Sequence, residues 1–228
     1  YELNTPLLRM ADLRPTNSED ALQNIHATGR AWMKGEELRH EGKLTSERGS
    51  VAKIAYTDFQ LDSSLANQIV RIDSLKFQAF QGTVLSNGQC AFGADQAQFS
   101  TTTQVESLNL TQLFRAALPL SDQMVQGIAS LDLSLSGSGQ TWDDVLPTLQ
   151  GQGKAEIVGG AVLDLNIAEG VLSGLTGISG LSFAISPTVR DKYPTIFTSP
   201  HTEFDELSSR FSLGESKINL DSLRVAAR

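Results

Sequence analysis

The sequence contains a single cysteine, Cys90, so it can form neither an intrachain disulfide nor a cysteine-based metal site. It has three histidines, His26, His40 and His201, none within metal-ligand spacing of another, and neither H-E-x-x-H nor C-x-x-C occurs. Lys/Arg runs are absent and the formal net charge is −8, which argues against a nucleic-acid-binding face and against charge-driven attachment to an anionic membrane surface. No G-x-S-x-G elbow precedes a serine, and Cys90 has no evident His partner. Gly151-Gln152-Gly153-Lys154 hints at a phosphate loop, but the full G-x-x-x-x-G-K-[ST] is missing. The expectation is a non-catalytic protein with no metal and no cofactor. Long apolar runs are lacking too. The longest, Ile167 to Ile185, is interrupted by glycines, serines and Glu169, whereas a membrane span needs roughly 20 predominantly apolar residues.

What remains points to strands. The chain has 228 residues, enough for one large domain or two small ones, and 40% of them are hydrophobic, enough to build a sizeable core or apolar lining. Only 19% are charged, which argues against wholesale disorder. Nineteen glycines with 7% aromatics suit many short strands and turns. Leu131, Leu133 and Leu135 alternate with Asp132, Ser134 and Ser136, the pattern of a strand with one apolar face. Ile54 and Tyr56, then Phe59 and Leu61, suggest another strand. Phe99, Thr101, Thr103 and Val105 suggest one with a more polar face. Phe211–Leu213 and Ile218–Leu220 read as a hairpin closed near Gly214-Glu215. Close succession of strands favours antiparallel pairing. Asn109-Leu110-Thr111 matches a glycosylation sequon and carries little meaning. In the Ile167–Ile185 stretch, Ile167, Val171, Leu175 and Ile178 share one face of a predicted short amphipathic helix.

Two internal matches suggest that one unit is used twice. Asn17–Leu38 aligns without gaps to Thr141–Val162, at an offset of 124 residues. Asn17 and Thr141 are predicted helix N-caps, with Asp20 and Asp144 three residues on, where acidic groups favour the helix start. Asp143-Asp144 is assigned to that structural role. Leu22 and Ile25 then fall beside Leu146 and Leu149, Gly29-Arg30-Ala31 beside Gly153-Lys154-Ala155, and Gly35 on Gly159. The expected unit is a short capped helix, a glycine turn and a strand. Val70–Phe77 aligns to Ile218–Val225 at an offset of 148 and shares Asp-Ser-Leu. An insertion of about 24 residues in the second copy reconciles the two offsets, and the segment from Ile167 lies where it must fall. The expected division is 1–104 and 105–228, with a helical insertion near 166–200 and one continuous sheet.

Gly127 to Leu165 carries a family resemblance. It reads as an alternating strand, a G-x-G turn (Gly137-Ser138-Gly139), a short helix ending L-x-G-x-G, and a strand pair around a glycine. Thr202-Glu203-Phe204-Asp205-Glu206-Leu207 follows as a T-x-F-x-x-L element ahead of the strands Phe211–Leu213 and Ile218–Val225. This pattern resembles the C-terminal region of the AsmA family, related to bridge-like envelope lipid transport proteins. The resemblance is good over residues 105–228 and thinner before them. It implies a long curved β-sheet with an apolar concave face, in a periplasmic protein held at the inner membrane. The implied role is carrying phospholipid or a related lipid for outer-membrane homeostasis. The family's N-terminal membrane anchor is missing here, so the chain is read as a piece of a longer protein.

The expected fold is therefore mainly β, a curved antiparallel sheet (a β-groove or half-pipe) with a few short helices, built from two related units. Candidate groove-lining residues are Ile54, Tyr56, Val70, Ile72, Leu131, Leu133, Leu135, Ile218 and Leu220; Ile167, Val171, Leu175 and Ile178 form a candidate cap helix. The same residues suit a closed sandwich core equally well. The expected partner is a lipid, phospholipid above all, with no nucleic acid. The alternative is an assembly module binding another envelope protein by a sheet edge. If the sheet is a groove, the segment Ile167–Ser199 is predicted to plug or cap it. Deleting that segment is then expected to lower lipid occupancy by native mass spectrometry more than it lowers the melting temperature; an equal loss of both would mark it as ordinary core.

Overall fold

The computed structural model of the chain describes residues 1–9, 20–51, 54–93, 96–117, 125–163, 182–185, 191–192 and 201–226. Among these described residues twelve strands form one sheet. They are β1 (Glu2–Arg9), β2 (Ala21–Lys34), β3 (Glu37–Val51), β4 (Ile54–Ala66), β5 (Ile69–Ala79), β6 (Gly82–Phe92), β7 (Ala97–Asn109), β8 (Val125–Gly139), β9 (Gln150–Leu163), β10 (Ser182–Ile185), β11 (His201–Gly214) and β12 (Lys217–Ala226). Two short helices, α1 (Leu110–Ala117) and α2 (Trp142–Thr148), flank β8 in sequence. The spatial order is β1 through β9, then β11, β12 and β10. Every pair is antiparallel except β10–β12, which is parallel. The two ends of this order do not pair with each other, so the sheet is not closed into a barrel.

The meander follows from its turns. Asn67-Gln68, Phe80-Gln81 and Glu215-Ser216 each put two successive residues at positive φ. That is the backbone of a two-residue turn matched to strand twist. The last hairpin thus closes at Glu215-Ser216, with Gly214 the final residue of β11.

Bulges bend the strands and explain an unusual spacing of apolar residues. Asn24 and Asp58 sit at positive φ inside β2 and β4, and Ser107 does so inside β7. Asn and Asp tolerate this region better than most residues. An extra residue shifts the alternation by one. Apolar residues three apart therefore reach the same face: Leu22 and Ile25, Tyr56 and Phe59, Val105 and Leu108. In β5 and β12 the register slips at Asp73-Ser74 and at Asp221-Ser222, bringing Ile72 with Leu75 and Leu220 with Leu223 to one side. In β11 the buried pair Phe204 and Leu207 straddles Asp205, which lies opposite Gly159 at φ 58°.

These bulges correct the expected first unit. Leu22 and Ile25 lie on strand β2, not on a helix, and Gly29 and Gly153 are inside strands rather than in helix–strand turns. The gapless match at offset 124 therefore pairs strand residues Ala21–Asn24 with helix residues Val145–Thr148, while the expected N-cap Asn17 lies outside the described residues. Likewise Lys154–Leu163 is not a strand pair around a glycine but one strand with a bulge at Gly159. Thr202–Leu207 is the first half of β11. The match at offset 148 has a shared geometry. The hairpins β4–β5 and β11–β12 have the same turn positions (Asn67-Gln68 and Glu215-Ser216) and the same Asp-Ser bulge. They also share a hydrogen bond, Ser64 Oγ to Asp73 Oδ2 at 3.2 Å in one and Ser212 Oγ to Asp221 Oδ1 at 3.1 Å in the other.

The second helix starts as expected. Thr141 is the N-cap of α2 and forms a capping box with Asp144. Hydrogen bonds from Thr141 hold the Asp144 carboxyl below its ordinary range. Its contribution is thus present above the usual carboxylate value and lost as pH falls through the lowered one. Helix α1 was not expected. Asn109 Oδ1 accepts from Gln112 N at 3.1 Å, a capping bond within the stretch that reads as a sequon.

Aromatic rings fill the space over glycines. A Cβ on Gly153 would lie 2.3 Å from Phe211 Cζ on the neighbouring strand, and one on Gly160 would lie 2.4 Å from Phe204 Cζ. The rings cover backbone that a glycine leaves bare, and so recover apolar contact within one layer. Gly153→Val is expected to destabilise the fold by about 1–3 kcal/mol through overpacking. A urea-unfolding cycle with Phe211→Leu checks this; the cost should shrink when the ring is gone.

Candidate functional site

Directly paired residues on neighbouring strands share a face, so the register assembles rows across the sheet. Ala27, Leu44, Leu61 and Leu75 form one row over β2–β5. The same row continues through Ser86 and Thr103 to Leu133, Gly153, Phe211 and Leu220. A parallel row runs from Phe77 through Val84 and Val105 to Leu131. The face is apolar along nearly its whole length. The opposite face carries charged and hydroxyl side chains, including the directly opposed pairs Arg30–Glu41 and Lys43–Asp62 at 2.8 and 3.4 Å. Both are solvent-exposed and add little stability.

The nine predicted groove-lining residues all fall on the apolar face, but in different environments. Leu131, Leu133 and Leu135 are half-buried. Ile72 shares a row with Leu135 and Ile218, through Gly88, Thr101, Gly151 and Leu213. Val70 and Leu220 are half-buried, Ile72 is 36% exposed and Ile218 is buried. Ile54 lies near one end of its strand opposite Val51 and is 38% exposed. Tyr56 is instead buried in a small polar-aromatic node. The Ser46 hydroxyl donates to Gln23 O at 2.8 Å, and the Tyr56 phenol bonds Ser46 Oγ at 2.9 Å. Its ring meets Phe59 at 5.5 Å, and Phe59 stacks on Phe77 at 6.4 Å. Ile167, Val171, Leu175 and Ile178 lie outside the described residues. Ser182–Ile185, the last part of that apolar stretch, is strand β10.

Two helices sit on the same face at opposite ends of β8. Helix α1 brings Leu110, Leu113 and Phe114 onto Ile157, Phe204, Leu207 and Leu223, the buried cluster of the molecule. Helix α2 lies over Gly139, where a Cβ would come within 2.8 Å of Asp144 Cβ, and its end reaches Gly137. Between them Leu131, Leu133 and Leu135 keep partial exposure. Among the described residues no second sheet covers this strip. An open depression of about 610 Å³ lies against the opposite, polar face, where Ser100, Thr102, Ser134 and Gln152 line it. The apolar strip is a surface, not an enclosed cavity.

An open, bulged meander with one apolar face is the architecture implied by the resemblance, and the AsmA family model matches residues 9–222. The chain belongs to the AsmA family. Neither the curated proteins nor the solved structures give a match to it. Among the described residues of this AsmA-family chain, no cluster of His, Cys, Asp or Glu is placed to hold a metal, and no helix is long and apolar enough to cross a membrane.

Sequence reasoning missed Leu44, Phe77, Val84 and Leu213 as members of the same face. The signal was present: apolar residues two apart, with one step of three at each bulge. Burial pushes the Tyr56 phenol above its ordinary value, and its bond to Ser46 opposes that shift. The neutral phenol is therefore favoured in the fold. This contribution is intact below the unfolded tyrosine value of about 10 and is lost as pH rises through the folded one. Tyr56→Phe is expected to cost about 0.5–1.5 kcal/mol at neutral pH. Urea unfolding at neutral and alkaline pH should also show a smaller alkaline loss in the variant.

Proposed function

We propose that this chain is a non-catalytic module that holds or guides phospholipid, or a lipid of similar build, along its apolar sheet face. The observation that carries this reading is the half-exposed leucine strip of β8, whose rows reach Leu75 and Ile72 beyond the hydroxyls of β6–β7 on one side and Phe211 and Leu213 beyond the glycines of β9 on the other. A closed core would bury Leu131, Leu133 and Leu135 fully, and they are only half-buried. Each lipid methylene laid on such a strip and removed from water contributes about 0.8 kcal/mol. No reacting group is required, because guidance along a strip needs only apolar continuity. Membership in the AsmA family supports a role in envelope lipid handling or assembly. Periplasmic location and an inner-membrane anchor outside this stretch complete the proposal. Within the segment Ile167–Ser199 expected to cap the strip, Ser182–Ile185 instead pairs with β12 in the plane of the sheet.

A second reading has its own support. Among the described residues the eight-residue strand β1 forms one edge of the sheet, with Leu3 and Leu7 exposed. Such an edge fits strand addition by another envelope protein. The test is native mass spectrometry and lipid extraction of the purified chain. Phospholipid should co-purify, and Leu133→Asp should lower occupancy at least several-fold while leaving the β circular-dichroism signal intact. A lipid-free wild-type chain, or in-cell crosslinks to protein alone, would replace the lipid reading with the edge-binding one.

A further inference from the structure

Single polar residues such as Ser46, Ser63 and Ser209 lie on the apolar face, but on β6–β7 three hydroxyls stand together and are enclosed. Ser86 on β6 and Thr101 and Thr103 on β7 project from that face beside Gly88. Along their own strands they are bounded by Val84 and Cys90 and by Phe99 and Val105. Across the sheet Ser86 pairs with Leu75 and Gly88 with Ile72 on β5, while Thr103 and Thr101 pair with Leu133 and Leu135 on β8. The island is thus rimmed by apolar side chains on all four sides. From strand spacing and rise, it measures about 14 Å across the strands and about 20 Å along them, rim to rim.

The hydroxyls are organised. Ser86 Oγ lies 2.9 Å from Thr103 Oγ1 and 3.2 Å from Thr101 Oγ1. Ser86 also donates to Thr102 O at 3.1 Å, and Thr101 donates to Asn87 O at 2.9 Å. With Ser86 and Thr101 committed to backbone oxygens, the Thr103 hydroxyl bonds only to another side chain and is free to re-aim. A purely hydrocarbon occupant would cut the spare lone pairs of these half-buried hydroxyls, and the Thr103 O–H that can re-aim, off from water with nothing in its place, which costs free energy. An occupant with hydrogen-bond acceptors between two apolar arms would match both the island and its rim.

We infer that the island seats the carbonyl-bearing ester linkage of a diacyl lipid, with acyl chains lying on the β5 side and the β8 side. This rests on the lipid-holding reading above and names the part of the lipid that is recognised. Binding would pause at β6–β7, so the strip would hold lipid at a fixed station rather than pass it evenly.

The test compares occupancy of the full chain by dioleoylphosphatidylglycerol and by its ether-linked dialkyl analogue, which lacks the carbonyls, using native mass spectrometry at equal lipid concentration. The wild type should favour the ester lipid by roughly 2–10-fold, the effect of one hydrogen bond. Ser86→Ala/Thr101→Val/Thr103→Val should abolish the preference while still binding both lipids. Thr101→Ser/Thr103→Ser, which keeps the hydroxyls, should retain it and controls for folding. If wild type binds both lipids equally, or the triple variant keeps the preference, the island assignment is overturned and lipid holding stands. If wild type binds neither, both ideas are overturned.

Discussion

Twelve strands in one sheet can bury apolar side chains only against neighbours in the same layer, unless something is laid over them. Much of this molecule answers that constraint. Aromatic rings lie over glycines on adjacent strands, as Phe211 does over Gly153 and Phe204 over Gly160. Short helices cover the two ends of the β8 face. The main-chain ladder supplies the remaining order, and its register decides which side chains become neighbours. Few residues are fully buried as a result, and the leucines of β8 remain half-exposed.

The bulges connect this constraint to function. A strictly alternating strand would keep one face apolar, but its bend and twist would be fixed. Positive φ at Asn24 and extra residues at Asp58, Ser107 and the two Asp-Ser sites bend the strands. Each bulge also moves the next apolar residue back to the same face. The strip therefore survives the bending. The hairpins β4–β5 and β11–β12 use the same turn, bulge and Ser–Asp bond, so one local solution serves at two places in the sheet.

The apolar strip and its polar island divide the work that the proposed function needs. The strip gives non-directional attraction that scales with buried area. The hydroxyls of Ser86, Thr101 and Thr103 give direction, because hydrogen bonds need acceptors at defined places. The more polar face expected for Phe99–Val105 is this island seen along one strand. Only the register shows that Leu75 and Leu133 close it on either side.

The sequence by itself determined that the chain is β-rich, which residues alternate in β8, the capping box of α2, and the hairpin that ends near Gly214. These are local: each is read from residues within a few positions, with a period or a capping geometry to decide it. Leu22 and Ile25 were misleading for the same reason. A spacing of three is a helix turn in one backbone and a bulged strand in another, and nothing local separates them. Tertiary structure decided the rest. Whether the apolar face is open depends on what lies above it. Which apolar residues join one strip depends on pairings between distant strands, and a slip of one residue would send each side chain to the other face.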